Sequence, residues 1–203
     1  MTQDLRICFV GDSFTAGAGD ETALGWTGRV AAAAWHRGVA LTGYNLGVRR
    51  DTSADIRRRA EAEVLARLLA AGGDAHAVVF CFGANDTTFE DGMPRVPPEA
   101  TLDNAGALLG WSAARWPTLM LGPPPALHDA VQDARVAALS PELGSVAEAL
   151  GVPFLPLHAP LSATHAWRAG AARGDGVHPD AAGYAAMAAL VEAWQPWRRL
   201  TGG

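Results

Sequence analysis

Apolar residues gather along this chain in short runs, and longer stretches with helical periodicity lie between them. Leu5-Arg6-Ile7-Cys8-Phe9-Val10 is the first run, and it breaks at Gly11-Asp12-Ser13, the pattern of a buried strand delivering a loop. Trp26, Val30, Ala33 and Ala34 then fall at helical spacing over residues 26–36, with Gly38 as a stop. Residues 39–46 read as a second strand, ending at Asn45-Leu46-Gly47. Ser53 is placed to cap a helix in which Ile56, Ala60, Val64 and Leu68 recur every four residues. Arg57, Arg58 and Arg59 take its other faces beside Glu61 and Glu63, which predicts a solvated, ion-paired surface.

Residues 75–82 form the most continuous apolar run, without alternation, as a central strand buried on both faces requires. The run stops at Gly83-Ala84-Asn85-Asp86, and residues 86–98 read as a turn-rich surface loop. A helix over 101–116 is cut by Pro117, a short strand follows at 118–122, and a helix over 127–150 is expected to break or kink at Ser140-Pro141. Residues 152–157 give a fifth strand, and 158–174 read as polar and irregular. Asp180 caps a last helix with the stripe Tyr184, Met187, Val191 and Trp194. Strands alternating with helices predict an α/β fold, a three-layer α/β/α sandwich on a five-stranded parallel sheet, as one domain over residues 1–203.

Composition narrows the chemistry. A formal charge of −5 argues against a nucleic-acid partner, whose phosphates need a basic face. All 16 basic residues are arginine, so no lysine-based mechanism is open. The first residues show neither a basic region nor an apolar core of a secretory leader, and no stretch approaches a membrane span; a cytoplasmic protein is expected. Cys8 and Cys81 lie inside predicted strands, and no ligand spacing surrounds them, so neither a metal nor a cofactor is expected.

In a parallel sheet the ends of the first three strands leave by one edge, so Ser13, Gly47 and Asn85 converge there. Ser13 offers a hydroxyl and an N–H, Gly47 an N–H open to close approach, and Asn85 an amide: a nucleophile and three oxyanion donors. A serine needs a base, and His178 is the candidate, with Asp175 three residues earlier to fix its tautomer. Asp12 and Asp86 are expected to accept backbone N–H bonds and hold the loops in shape. His158 and His165 are candidates for the pocket wall only, as are Trp26, Phe89 and Trp167. For Arg49 and Arg50, solvent exposure is expected over recognition of an anionic substrate.

Gly11-Asp12-Ser13-Phe14, Gly47, Gly83-Ala84-Asn85-Asp86 and Asp175-Gly176-Val177-His178 together resemble, in order, the four sequence blocks of the SGNH (GDSL-type) hydrolases. The resemblance implies a flavodoxin-like sandwich and hydrolysis of a small-molecule acyl ester. It implies Ser13 as nucleophile, His178 as base, Asp175 as its orienting partner, and Ser13, Gly47 and Asn85 as the oxyanion hole. Phe14 stands where leucine is commonest, and Arg50 where a second glycine often follows Gly47. Within this reading a short-acyl or acetyl esterase leads, with an acyl thioesterase or a lysophospholipase as alternatives. A different class, a non-catalytic phosphate or nucleotide binder, fits the Ser/Thr/Gly-rich loop over 13–19 and leaves Asp175 and His178 without a task.

Overall fold

The computed structural model describes residues 4–68 and 75–202; of the N-terminal stretch read above for a leader, residues 1–3 lie outside it. The apolar runs form strands β1 (Leu5–Gly11), β2 (Leu41–Gly47), β3 (Ala75–Cys81), β6 (Thr118–Leu121) and β7 (Phe154–Leu155). Among the described residues they pair, all parallel, in the order β2-β1-β3-β6-β7. Counting sheet strands alone this is 2-1-3-4-5, the doubly wound order whose switch point lies between the first and third strands. β1 is central, with Gly11 in register with Gly47 on one side and Cys81 on the other.

Alternate residues of β1 feed two cores. Ile7 and Phe9 face one layer with Trp26, Val30, Met187, Val191 and Trp197; Cys8 and Val10 face the other with Ile56, Val64, Leu109 and Leu143. The first layer holds helices α2 (Gly25–His36), α7 (His165–Arg173), α8 (Ala181–Ala193) and α9 (Gln195–Leu200). The second holds α3 (Ser53–Leu68), α4 (Pro98–Ala113) and α5 (Ala130–Ala149). This is the expected α/β sandwich. Burying a large side chain such as Ile56 or Leu109 contributes on the order of 2 kcal/mol, so continuous apolar strands with helices on both faces suffice to set it.

Three local expectations are corrected. α5 runs unbroken through Pro141, because Leu139 and Ser140 before it and Leu143 and Ala147 after it stay buried; packing outweighs the hydrogen bond that proline cannot make. The segment expected to be irregular holds two helices, α6 (His158–Ala163) and α7, of 6 and 9 residues, too short for a periodicity to stand out. Inside the predicted surface loop, β4 (Phe89–Glu90) pairs antiparallel with β5 (Met93–Pro94) across Asp91 and Gly92, which have φ of 52° and 79°. Asp-Gly with both residues at positive φ is a type I′ hairpin, a signal present in the sequence.

Candidate active site

The loop that carries Ser13 is built by Asp12. Its backbone stays extended and its Oδ1 accepts the Phe14 N–H at 3.0 Å, so Asp12 caps the single turn α1 (Ser13–Ala16) and puts Ser13 at the first helical position. Gly17, at φ 78°, ends the turn. Ser13 Oγ lies 2.7 Å from His178 Nε2, and His178 Nδ1 lies 2.7 Å from Asp175 Oδ2. The other Asp175 oxygen accepts the N–H groups of Val177 and His178 at 2.9 and 2.8 Å, which folds the Asp-Gly-Val-His segment back on itself. Partial burial pushes the Asp175 carboxyl up, but the His178 amide, its imidazole and the Val177 amide outweigh that and hold it at about 2. It is therefore a carboxylate throughout the physiological range, suited to fix one imidazole tautomer. The structure thus joins Ser13, His178 and Asp175, which are far apart in the chain, into one hydrogen-bonded line.

His178 is held from behind by rings. Phe14 lies 5.2 Å from it, Trp167 stacks on Phe14 at 5.8 Å, and Tyr184 meets Trp167 edge-on at 6.0 Å. Tyr184 Oη donates to Ala18 O at 2.8 Å, so α8 grips the loop beyond the nucleophile. Trp167, offered as a pocket wall, is fully buried in this stack, and Trp26 is core against Phe9. Phe89 is exposed with the Arg135 guanidinium over it, and His158 pairs with Asp133 at 3.0 Å.

The third group of expected residues is arranged differently from its sequence reading. Asn85 opens a short 3₁₀ turn, and its Nδ2 donates to Asp51 O at 3.0 Å. Gly47 donates its N–H to Asn45 Oδ1 at 3.0 Å, while Asn45 Nδ2 is anchored on Thr15 O and Thr27 Oγ1. A side chain at Gly47 would put its Cβ 2.1 Å from Ala16 N, so this glycine is needed for the close approach of β2 to α1. Past it, residues 48–51 close a turn through Asp51 N–H to Val48 O at 3.3 Å, with Arg50 at φ 69°. A positive φ at the third residue is the type II pattern, which normally asks for glycine. Among the described residues neither the Ser13 N–H nor the Arg50 N–H has an acceptor.

Arg59 pins this turn to β1, the strand that leads to Ser13. Its Nε donates to Asp51 Oδ2 at 2.7 Å and its Nη2 to Gly11 O at 2.9 Å, while Nη1 pairs with Glu63. Arg57 likewise turns inward, to Asn104 Oδ1. The arginine triplet is therefore only partly the solvated face expected: Arg58, paired with Asp55, keeps that role. Arg95 donates to Arg50 O at 2.8 Å from the other side. Asp86 receives the Ser53 N–H at 3.0 Å and the Thr101 hydroxyl at 3.0 Å, tying the Asn85 turn to α3 and α4; burial raises its carboxyl. Asp12 and Asp86 both accept backbone N–H bonds, as expected of loop holders.

With the turn this firmly held, the Arg50 side chain, largely exposed and paired only with exposed Glu90, is dispensable to it. Arg50→Gly is expected to raise stability by about 1 kcal/mol by relieving the left-handed φ, read as a higher melting temperature with kcat within about twofold of wild type. A lower melting temperature would show that the side chain, not the backbone, holds the turn.

The sequence model of the GDSL-like Lipase/Acylhydrolase family matches residues 9–186, most of the chain. No curated protein matches by sequence. Among solved structures, the lipase/acylhydrolase from Enterococcus faecalis superposes with a TM-score of 0.74 at 22% identity, covering 97% of this chain and 95% of its own. Axe2, an acetylxylan esterase from Geobacillus stearothermophilus, gives 0.74 at 18% identity with 98% and 94% coverage. The psychrotrophic esterase EstA from Pseudoalteromonas sp. gives 0.68 at 19% identity with 93% and 97% coverage. At these identities the likeness is one of fold.

Proposed function

The chain belongs to the GDSL-like lipase/acylhydrolase family of ester-hydrolysing enzymes, and from that premise we propose that it is a serine esterase working through an acyl-enzyme on Ser13, with acetyl and other short acyl esters as substrates. The observation that carries the reading is the unbroken line from Asp175 Oδ2 through His178 to Ser13 Oγ, with both contacts at 2.7 Å. His178 Nε2 takes the hydroxyl proton as Ser13 Oγ attacks the ester carbonyl. Asp175, ionised, stabilises the imidazolium that forms. His178 returns the proton to the leaving alcohol, and a water molecule repeats the sequence on the acyl-enzyme.

The negative charge on the tetrahedral intermediate needs donors already in place. Ser13 N–H and Asn85 Nδ2 are two, the amide held by Asp51 O, which leaves its second hydrogen free. The third is the Arg50 N–H, presented by the type II turn whose next residue Asn85 holds. Gly47 serves an oxyanion only by giving up its bond to Asn45, and its place in the site is to let β2 meet α1.

Diethyl p-nitrophenyl phosphate tests the nucleophile directly, because Ser13 Oγ displaces p-nitrophenolate from phosphorus and keeps the diethylphosphoryl group. One equivalent of p-nitrophenolate per chain and a label on the peptide carrying Ser13 are expected; no inactivation, or a label elsewhere, overturns the reading. Initial rates on p-nitrophenyl esters from acetyl to palmitoyl then size the acyl side. A maximum at acetyl or butyryl is expected, and a maximum at long chains would favour the lysophospholipase alternative.

A further inference from the structure

The side of the site that receives the leaving group has a composition of its own. A cleft of about 470 Å³ opens against His178 and Asp175. Apart from three glycines, every residue of its wall is ionisable: Glu21, Arg49, Arg173, Asp175, His178 and Asp180. The wall has no Ala, Val, Leu, Ile, Met, Phe, Tyr or Trp. Exposed apolar side chains lie outside this wall, among them Leu24, Val48 in the turn, and Phe89 and Met93 in the hairpin. In the proposed mechanism His178 hands its proton to the departing oxygen, so the cleft that borders His178 is the candidate seat of whatever is attached to that oxygen.

Most of these charges are already matched. Asp175 is held by His178, Asp180 pairs with Arg173 and caps α8, and Glu21 Oε2 accepts the Ala181 N–H at 3.0 Å. Among the described residues the Arg49 side chain has no hydrogen-bond or ion-pair partner, and Glu21 keeps a second oxygen unengaged. An alkyl group here would strip water from guanidinium and carboxylate groups without replacing their hydrogen bonds, which is unfavourable. A strongly anionic or cationic group would meet charges of both signs. Several hydroxyls satisfy both, donating to carboxylate oxygens and accepting from the guanidinium.

Resting on the Ser13–His178 esterase reading, we infer that the alcohol part of the substrate is a polyhydroxylated one, of sugar or glycerol chemistry, which Arg49 and Glu21 recognise in this cleft.

The test holds the acyl group fixed and varies the alcohol: acetate release from acetylated glucose, acetylated glycerol, butyl acetate and octyl acetate. The polyol acetates are expected to exceed the alkyl acetates in kcat/KM by roughly tenfold or more, as the loss of one or two hydrogen bonds to charged groups implies. Arg49→Ala and Glu21→Gln are expected to cut that ratio by about fivefold or more, chiefly through KM for the polyol acetates. The inference is overturned if octyl acetate equals or exceeds the polyol acetates, or if both variants leave the ratio intact. It is also overturned if only phosphorylated or carboxylated alcohols are turned over, which would make the cleft a reader of charge. In each of these cases acetate is still released and the esterase reading stands. Absence of acetate from every ester, together with no labelling of Ser13 by the phosphate triester, would remove that reading as well.

Discussion

Replacing Ser13 by alanine is expected to lower kcat/KM on every hydrolysed ester by roughly ten-thousand-fold or more, leaving the melting temperature almost unchanged. The size follows from the proposed mechanism, in which Oγ bonds to the acyl group; among the described residues no other hydroxyl hydrogen-bonds to His178. What survives is the contribution of the proposed oxyanion donors and of binding, which in serine-hydrolase sites still exceeds the reaction in water. His178→Ala should cost about as much, and the double variant little more than either alone, because nucleophile and base act as one unit. Stability is spared because Ser13 Oγ gives up one hydrogen bond, to a ring that water reaches through the cleft. Steady-state rates on p-nitrophenyl acetate decide the matter. Retention of more than about one percent of activity by Ser13→Ala would place the nucleophile elsewhere, and losses that multiply in the double variant would mean the two residues do not share a step.

The second large effect lies one residue earlier and concerns folding. Asp12 is fully buried; burial pushes its carboxyl up to about 7, the Phe14 amide works against this, and the nearby Asp86 and Asp51 carboxylates add to it. Oδ2 has no hydrogen-bond partner. In the unfolded chain the same group ionises near its ordinary value of 3.8. Between these two values the native state holds a proton that the unfolded state has released, so stability falls as pH rises from about 4 to about 7. The span corresponds to a cost on the order of 4 kcal/mol, fully present above pH 7 and absent below pH 4. Asparagine keeps the oxygen that accepts the Phe14 N–H and cannot ionise. The stability of Asp12→Asn relative to wild type, from urea unfolding at a series of pH values, is therefore expected to climb by several kcal/mol across that window. Asp20 and Asp175, both held at about 2, have the opposite sign: their stabilisation is present above pH 4 and is lost as pH falls towards 2. They are common to both proteins and cancel in the difference. A difference that stays flat from pH 4 to 7 would mean that Asp12 is ionised and solvated in the native protein.

The features legible in the sequence were those with a short physical range. Apart from Arg6 and His76, residues 5–10 and 75–82 are continuously apolar and rich in strand formers, the pattern of strands buried on both faces, and that points to the sheet and its central strands. Asp175 and His178 are three residues apart, so one turn brings them together whatever the rest of the chain does. The oxyanion side depends on directions that a sequence does not carry. Gly47 reads as a donor because glycine permits close approach; the structure shows a close approach of β2 to Ala16 N and the Gly47 N–H on Asn45 Oδ1. Arg50 gives the opposite impression, since a long charged side chain draws attention away from a backbone that turns at φ 69° and leaves its N–H without an acceptor among the described residues. Among Arg57, Arg58 and Arg59, helical spacing alone does not tell which one reaches back to Gly11 O; that depends on where α3 is anchored, through the Ser53 N–H on Asp86.

Cys8 and Cys81 sit on β1 and β3, the two strands that lead to Ser13 and Asn85, and both are wholly buried. Burial pushes Cys8 up to about 12 and Cys81 well above the ordinary thiol range. The folded protein is therefore silent to thiol-alkylating reagents, which need an accessible thiolate. Any alkylation that does occur counts openings of the central sheet, so its rate at fixed reagent and pH is a clock for the most protected part of the molecule. With no lysine in the chain to compete for electrophiles, a cysteine introduced on the surface becomes a unique attachment point whose background is that clock alone.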